Sequence, residues 1–367
     1  MSRAIALCLL LVLLFSFGCS PRAQIPEESG QARTEAQTEP LAVSVSSPVG
    51  TVSLLTELQR AYLASEPGRV TDFASGKDSL DQPAPVRFSS DAPAGAVLRL
   101  WEEGGEETVF PLTDGCAEVW NLKTGTEYRF CFEAEGKRSA EFRFATEKEP
   151  RLLRVDGVPN FRDLGGGDSG IRQGLLYRCA RLNVTYGKEY TEEITPEGKE
   201  ALRSLGIRTE IDLRLISDGE VGGQGDVIPD TGLVRYVSLP MKWRLEGGIP
   251  SDKENREAVC RFIHLLSQEE NYPILFHCNI GTDRTGFLAF LIEALLGGSD
   301  EGLVRDYALS NFAPIGSPRD LSVLDSLYFP LLAGTGAAKR SEQAKKLLVH
   351  WGAAEEETEQ IISILSE

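Results

Sequence analysis

The strongest constraint on this chain is a ten-residue stretch wedged between two apolar runs. Pro273-Ile-Leu-Phe276 reads as a short buried strand, and Phe287 to Leu296 as an apolar helix. Between them stands His277-Cys278-Asn279-Ile280-Gly281-Thr282-Asp283-Arg284-Thr285-Gly286. A strand that passes through a tight, glycine-containing loop into a helix is a unit of α/β folds. The loop also carries chemistry. Backbone N–H groups of a tight turn before a helix N-terminus form a nest for a tetrahedral oxyanion. The same dipoles and Arg284 favour a thiolate at Cys278, which makes it a nucleophile near neutral pH. Arg284 has the fork geometry to hold two phosphoryl oxygens, and attack by Cys278 would give a phosphocysteine that water hydrolyses.

The surrounding pattern fits that unit. Lys199 to Leu205 is helical in spacing, Arg208 to Leu215 and Leu233 to Leu239 are strand-like, and Glu254 to Ser267 is again helical. From about Arg151 onward the chain is therefore expected to form an α/β sheet flanked by helices.

The Cys-x5-Arg loop resembles the signature of the cysteine-dependent protein tyrosine phosphatase superfamily. In particular it is similar to the bacterial tyrosine/lipid phosphatases with His-Cys-x-x-Gly-Lys-Asp-Arg-Thr-Gly. A second run, Asn160-Phe161-Arg162-Asp163-Leu164-Gly165-Gly166, matches their Asn-Phe-Arg-Asp-Leu-Gly-Gly, and Arg178 and Asp212-Leu-Arg214 stand in the family's order. The resemblance covers residues 151–367. It implies Cys278 as nucleophile, Arg284 as phosphate clamp and Thr285 as the hydroxyl that assists thiolate departure. Asn279, Ile280, Gly281, Thr282 and Asp283 would cradle the phosphoryl group with Arg284, and His277 would shape the loop. No cofactor or metal is implied. The proton donor stays open: Asp212 at the end of a strand comes first, then Asp283 in the loop itself, then Asp252 or Glu246. Thr282 stands where the relatives carry Lys, which lowers the expected attraction for polyphosphorylated inositides and favours phosphotyrosine. The activity expected is a phosphomonoesterase acting on phosphotyrosine, and possible further substrates are lipid or other phosphomonoesters. The alternatives are an inositol-polyphosphate (phytase-like) phosphatase and a non-catalytic surface protein that binds phosphorylated ligands.

The first 150 residues read differently. Arg3, an uncharged run from Ala4 to Ser20 and the small residues before Cys19 read as a signal peptide over 1–19. The end of that run resembles a bacterial lipoprotein site with Cys19 as the lipidated residue; the alternative is an uncleaved anchor. Either puts the mature protein outside the cytoplasm, at a membrane. Residues 20–50 are polar and read as a flexible linker, and 51–82 as a helical connector with a helix at Leu54 to Ala64. Residues 83–147 change to period two, as in an antiparallel β-sandwich. There Leu122, Gly125 and Tyr128 resemble the tyrosine corner of fibronectin type III domains. Trp101 and Trp120 are expected in the sandwich core, and Cys116 and Cys131 are either bonded or free. The unit carries no catalytic motif and reads as a spacer or docking module. Cys179 and Cys260 are expected to be core residues. The whole chain has 38 basic and 55 acidic residues, a net charge of -17, which excludes a nucleic-acid surface. Three histidines and seven cysteines without a Cys-x-x-Cys exclude a structural zinc site.

Overall fold

The computed structural model describes residues 39–186, 189–215, 235–243 and 245–366, so the leader, Cys19 and most of the expected linker lie outside the described residues. Nine short strands form the first β unit: β1 Val45–Ser47, β2 Thr51–Val52, β3 Val86–Ser90, β4 Val97–Glu102, β5 Thr108–Pro111, β6 Cys116–Val119, β7 Glu127–Ala134, β8 Lys137–Arg138 and β9 Phe142–Thr146. One sheet has the order β1-β3-β6, the other β2-β9-β7-β4-β5 with β8 beside β7. Alternation along β7 puts Tyr128, Phe130 and Phe132 on one face, where they meet Phe88, Leu98, Leu100 and Phe144 in a shared core. The Tyr128 hydroxyl accepts the Lys123 N–H at 2.8 Å, which pins the chain entering β7.

This unit begins well before residue 83. Leu41, Val43 and Val45 pack on the sandwich core, so the end of the expected linker is already its first strand. Three alternating apolar residues among Ser and Pro are too short a pattern to stand out in the sequence. The connector, in turn, is an insertion between β2 and β3. Its helix α1 Glu57–Leu63 starts at a capping box of Thr56 and Gln59. Trp101 and Trp120 are half-buried and lie outside the core. Cys116, exposed on β6, and Cys131, buried on β7, are both free.

The second sheet contains β10 Pro150–Leu152, β11 Arg162–Gly166 and β12 Leu176–Cys179. A separate hairpin, β13 Asn183–Tyr186 with β14 Glu189–Glu192, precedes β15 Thr209–Asp212, β16 Arg235–Ser238 and β17 Ile274–His277. The order is β10-β11-β12-β17-β15-β16. The pairs β12–β17, β17–β15 and β15–β16 are parallel, and β10–β11 and β11–β12 antiparallel. Helices α2 Pro196–Ser204, α3 Lys253–Leu266, α4 Asp283–Leu295, α5 Asp300–Leu309, α6 Phe329–Ala333, α7 Arg340–Trp351 and α8 Glu355–Leu365 complete the domain. Helix α4 is apolar on all sides from Phe287 to Ile292, and every residue from Arg284 to Leu295 is buried. The inserted α1 segment docks on this domain: Tyr62 and Val70 pack with Leu152, Ala308, Leu309 and Phe312.

Strand β17 lies between β12 and β15, with Cys179, His277 and Asp212 level in register. The three strands therefore end at one carboxyl edge, the usual place for a binding crevice in an α/β sheet.

Candidate active site

Cys278 follows β17 directly, and Thr282 caps α4, so the Cys-x5-Arg loop fills the turn between sheet and helix. Gly281 is required twice over. Its φ is +73°, and a Cβ there would sit 2.5 Å from the Cys179 carbonyl oxygen. The loop carbonyls are drawn outward: Asn279 O accepts the Arg181 N–H at 3.1 Å, Ile280 O accepts Asn160 Nδ2 at 3.0 Å, and Gly281 O accepts Arg178 Nη2 at 2.6 Å. In a planar trans peptide the following N–H points the opposite way. Fixing three carbonyls outward thus turns the N–H groups of Ile280, Gly281 and Thr282 toward the inside of the loop.

Cys278 is buried at the base of that loop. Burial alone would push its thiol up, but the Arg284 guanidinium and the side chain and N–H of Thr285 outweigh it and bring the thiol below its usual value. The Thr285 hydroxyl has no other hydrogen-bond partner among the described residues, so it is reserved for the sulfur. Arg284 is itself held, its Nη1 donating to Leu213 O at 3.1 Å and Met241 O at 3.2 Å. Behind the cysteine, His277 Nε2 lies 3.0 Å from Glu210 Oε1, both fully buried. Burial would lower the imidazole, but Asp212 and Glu210 raise it above its ordinary value. Its other ring nitrogen, Nδ1, lies 3.3 Å from Cys278 O, so the imidazole bridges Glu210 and the start of the loop.

A buried lattice of arginines supports the loop. Asp306 on α5 pairs with Arg162 at 2.6 Å and also with Arg178. Burial would raise the Asp306 carboxyl, yet the two guanidiniums hold it below the usual range. Arg162 bonds Asn160, which bonds the loop, so the Asn-Phe-Arg run and the cysteine motif form one network. Asp163 of that run serves elsewhere, pairing with Arg151 and accepting the N–H groups of Gly165 and Gly174. Arg181 is occupied by Glu193 and Asn279, and Lys242 by Asp252 and Glu254. Asp306 is absent from any local motif: it lies 144 residues from Arg162, and only the fold brings it there.

The candidate acids separate sharply. Asp212 is fully buried, and both its oxygens accept from Arg214 while Oδ2 also accepts the Tyr236 hydroxyl at 3.0 Å. Burial raises its carboxyl, but His277 and Arg214 together pull it down to about 2. So held, Asp212 is an enclosed, ion-paired carboxylate and not one open to the crevice. Asp252 caps α3 through the Asn255 N–H at 3.0 Å and pairs with Lys242. Glu246 is exposed. Asp283 opens α4 beside the cysteine, about a quarter exposed, with Arg319 Nε 3.4 Å from Oδ1. Thr282 is fully buried, its hydroxyl directed at Ile280 O. It does not project from the loop, contrary to what its place in the motif suggests.

A buried thiol brought below its usual value at a helix start, beneath an arginine and a ring of inward N–H groups, has the arrangement of an oxyanion-binding nucleophile site. Residues 153–321 match the sequence profile described as "Tyrosine phosphatase family". This part of the chain is similar to cysteine-dependent hydrolase domains of the protein tyrosine phosphatase type. The chain is 27% identical over 187 residues to a "putative tyrosine-protein phosphatase" of Cupriavidus necator, covering 43% of this chain and 63% of that protein. It is 26% identical over 204 residues to the "triple specificity protein phosphatase PtpB" of Mycobacterium tuberculosis, covering 44% of this chain and 69% of that one. The chain thus spans about two thirds of the length of these relatives. The core catalytic domain of the PP-IP phosphatase SIW14 from S. cerevisiae overlaps 46% of this chain and 92% of its own at 17% identity, with a TM-score of 0.28, too low to bear on function.

Proposed function

We propose that the protein hydrolyses phosphotyrosine through a phosphocysteine intermediate, with Asp283 as the proton donor. The observation that carries this reading is the depressed Cys278 thiol between Arg284 and Thr285 at the start of α4. The Cys278 sulfur attacks phosphorus in line, and the P–O bond to the leaving group breaks as Asp283 protonates that oxygen. Arg284 and the inward N–H groups take up the charge spread over the three equatorial oxygens. Water, deprotonated by Asp283, then attacks phosphorus, and the Thr285 hydroxyl stabilises the departing thiolate. Asp283 is about a quarter exposed and meets Arg319 at 3.4 Å, whereas Asp212 is fully buried and bonded to Arg214, which favours Asp283 as the donor.

The reading includes export as a lipoprotein anchored through Cys19, supported by the charged start at Arg3, the uncharged apolar run after it and the small residues before Cys19. It also includes a fibronectin type III-like identity for the first β unit, supported by its two-sheet order and by the Tyr128 bond to Lys123. Initial rates on p-nitrophenyl phosphate, phosphotyrosine, phosphoinositides and phytate test the substrate. Activity is expected to vanish in Cys278→Ser, survive chelators and be blocked by vanadate. Full activity in Cys278→Ser, or phytate as the one substrate turned over, would overturn it. Membrane partition of wild type and release of Cys19→Ser test the anchor.

A further inference from the structure

Two adjoining hollows lie beside the phosphate loop, the first bordered by it and the second farther out. The first, about 360 Å³, is walled by Asn279 and Ile280 of the loop together with Pro159, Pro314 and Ile315. The second, about 610 Å³, reaches Trp120 of the β-sandwich, Arg154 and Asp81. Both are bounded by Gly157, Pro159 and Pro314, so they are adjoining parts of one groove. Its far end holds an aromatic face and a cation: the Arg154 guanidinium lies 4.4 Å from the Trp120 ring centroid, and Arg154 is exposed. Its floor holds an unmet acceptor. Asp81 is only 5% exposed, its Oδ2 accepts the Asn160 N–H, and its Oδ1 has no partner among the described residues. Buried polar atoms without partners are uncommon in folded proteins and point to a missing donor.

The walls of the groove are fixed. Arg154 N donates to Asn121 Oδ1 at 2.7 Å and Asn121 Nδ2 to Arg154 O at 2.9 Å, tying sandwich to catalytic domain beside Trp120. The segment carrying Pro314 and Ile315 is laced to the inserted connector by Gly76 N to Asn311 O at 2.8 Å and Gly316 N to Gly76 O at 2.8 Å. Asn160 links the two ends, its N–H on Asp81 and its side chain on Ile280 O.

We propose that this groove binds the extended polypeptide on one side of the phosphotyrosine, so that the β-sandwich selects protein substrates. The proposal rests on the phosphotyrosine reading and deepens it. A peptide supplies what the groove lacks: a backbone N–H for Asp81 Oδ1, an apolar or aromatic side chain for Trp120, and an acidic one for Arg154. An inositol polyphosphate offers further anions to walls where Asp81, Asp156 and Glu193 outnumber Arg154 and Arg181. A lipid chain would leave the Asp81 oxygen unmet.

The test compares kcat/KM for a ten-residue phosphotyrosine peptide with that for free phosphotyrosine, in the full chain and in Trp120→Ala and Arg154→Glu. The peptide should be preferred about tenfold or more in wild type, and either variant should remove most of that ratio through KM. Because a ratio is read, any loss of folded protein cancels, and Arg154→Glu alters only an exposed side chain. Equal rates on both substrates in wild type, or a ratio untouched by both variants, would overturn the groove and leave the phosphatase reading standing. A preference for phosphoinositide vesicles that Trp120→Ala abolishes would assign the groove to lipid and overturn the proposal. Hydrolysis of phytate but of neither phosphotyrosine substrate would overturn the phosphotyrosine reading and the groove with it.

Discussion

The two sides of the phosphate loop use the same residue types to opposite ends. On the buried side, Asp306 with Arg162 and Arg178, and Asp212 with Arg214, are enclosed and held by two or more bonds each. On the open side, Asp283 and Arg319 touch at 3.4 Å, each about a quarter exposed. A buried ion pair fixes geometry, and removing one member leaves the other charge unpaired. A partly exposed, long pair contributes less and leaves its carboxylate less tightly held. The Asp–Arg pairing alone therefore says nothing of role; enclosure decides it.

The sharpest way to break this contrast is Asp306→Ala. It strands two buried guanidiniums, one of which holds Gly281 O. We expect a loss of about 3–5 kcal/mol by denaturant unfolding, with activity lost on every substrate as the loop relaxes. A variant of near wild-type stability would show that the lattice is not a support.

Asp283→Asn comes next and should act on rate while sparing stability. A general acid matters most for a poor leaving group, so kcat for phenyl phosphate should fall about 10²-fold or more while p-nitrophenyl phosphate changes far less. An equal fall on both substrates would remove Asp283 from the role of donor.

The same contrast explains what could be read from the sequence. Cys278, Arg284 and Thr285 stand together because the strand–loop–helix turn sets their spacing locally, and the sheet strands follow from apolar runs such as Ile274 to Phe276. The α/β architecture was legible for that reason. The enclosure of Asp212 was not legible, because strand-end position places a carboxylate at the crevice edge but cannot report that Arg214, Tyr236 and His277 surround it. Asp306, Arg319 and the Asp81 floor were invisible, since each acts through partners more than thirty residues away. The early start of the sandwich was hidden by an insertion that separates β2 from β3.

Asp212→Asn sharpens the buried half and has a sign that pH can check. Its carboxyl lies at about 2 in the fold, below its ordinary value, because Arg214 and His277 outweigh burial. That depression contributes stability above about pH 4, on the order of 2 kcal/mol, which is lost as pH falls through about 2. Denaturant unfolding of wild type and Asp212→Asn should therefore differ most near neutrality and converge toward pH 2. Rates on phenyl and p-nitrophenyl phosphate should fall in proportion, the mark of a support. A selective loss on phenyl phosphate would instead restore Asp212 as the acid.

The smallest effect is expected from Arg319→Gln. Its contact with Asp283 is long and partly in water, so stability should change by less than about 1 kcal/mol. Its backbone N–H is fixed on Asn311 Oδ1 at 2.7 Å, so the variant should leave the loop it stands on in place. What remains is orientation: without the cation the Asp283 carboxyl samples positions away from the leaving oxygen. We expect kcat for phenyl phosphate to fall about two- to fivefold, with little change for p-nitrophenyl phosphate, which needs no proton. Salt supplies an independent check, because the Debye length shrinks to about 3 Å at 1 M. Wild type at 1 M salt should then approach the variant on phenyl phosphate, and the variant itself should respond less. A stability loss as large as that of Asp306→Ala would place Arg319 among the supports and erase the difference between the two sides of the loop.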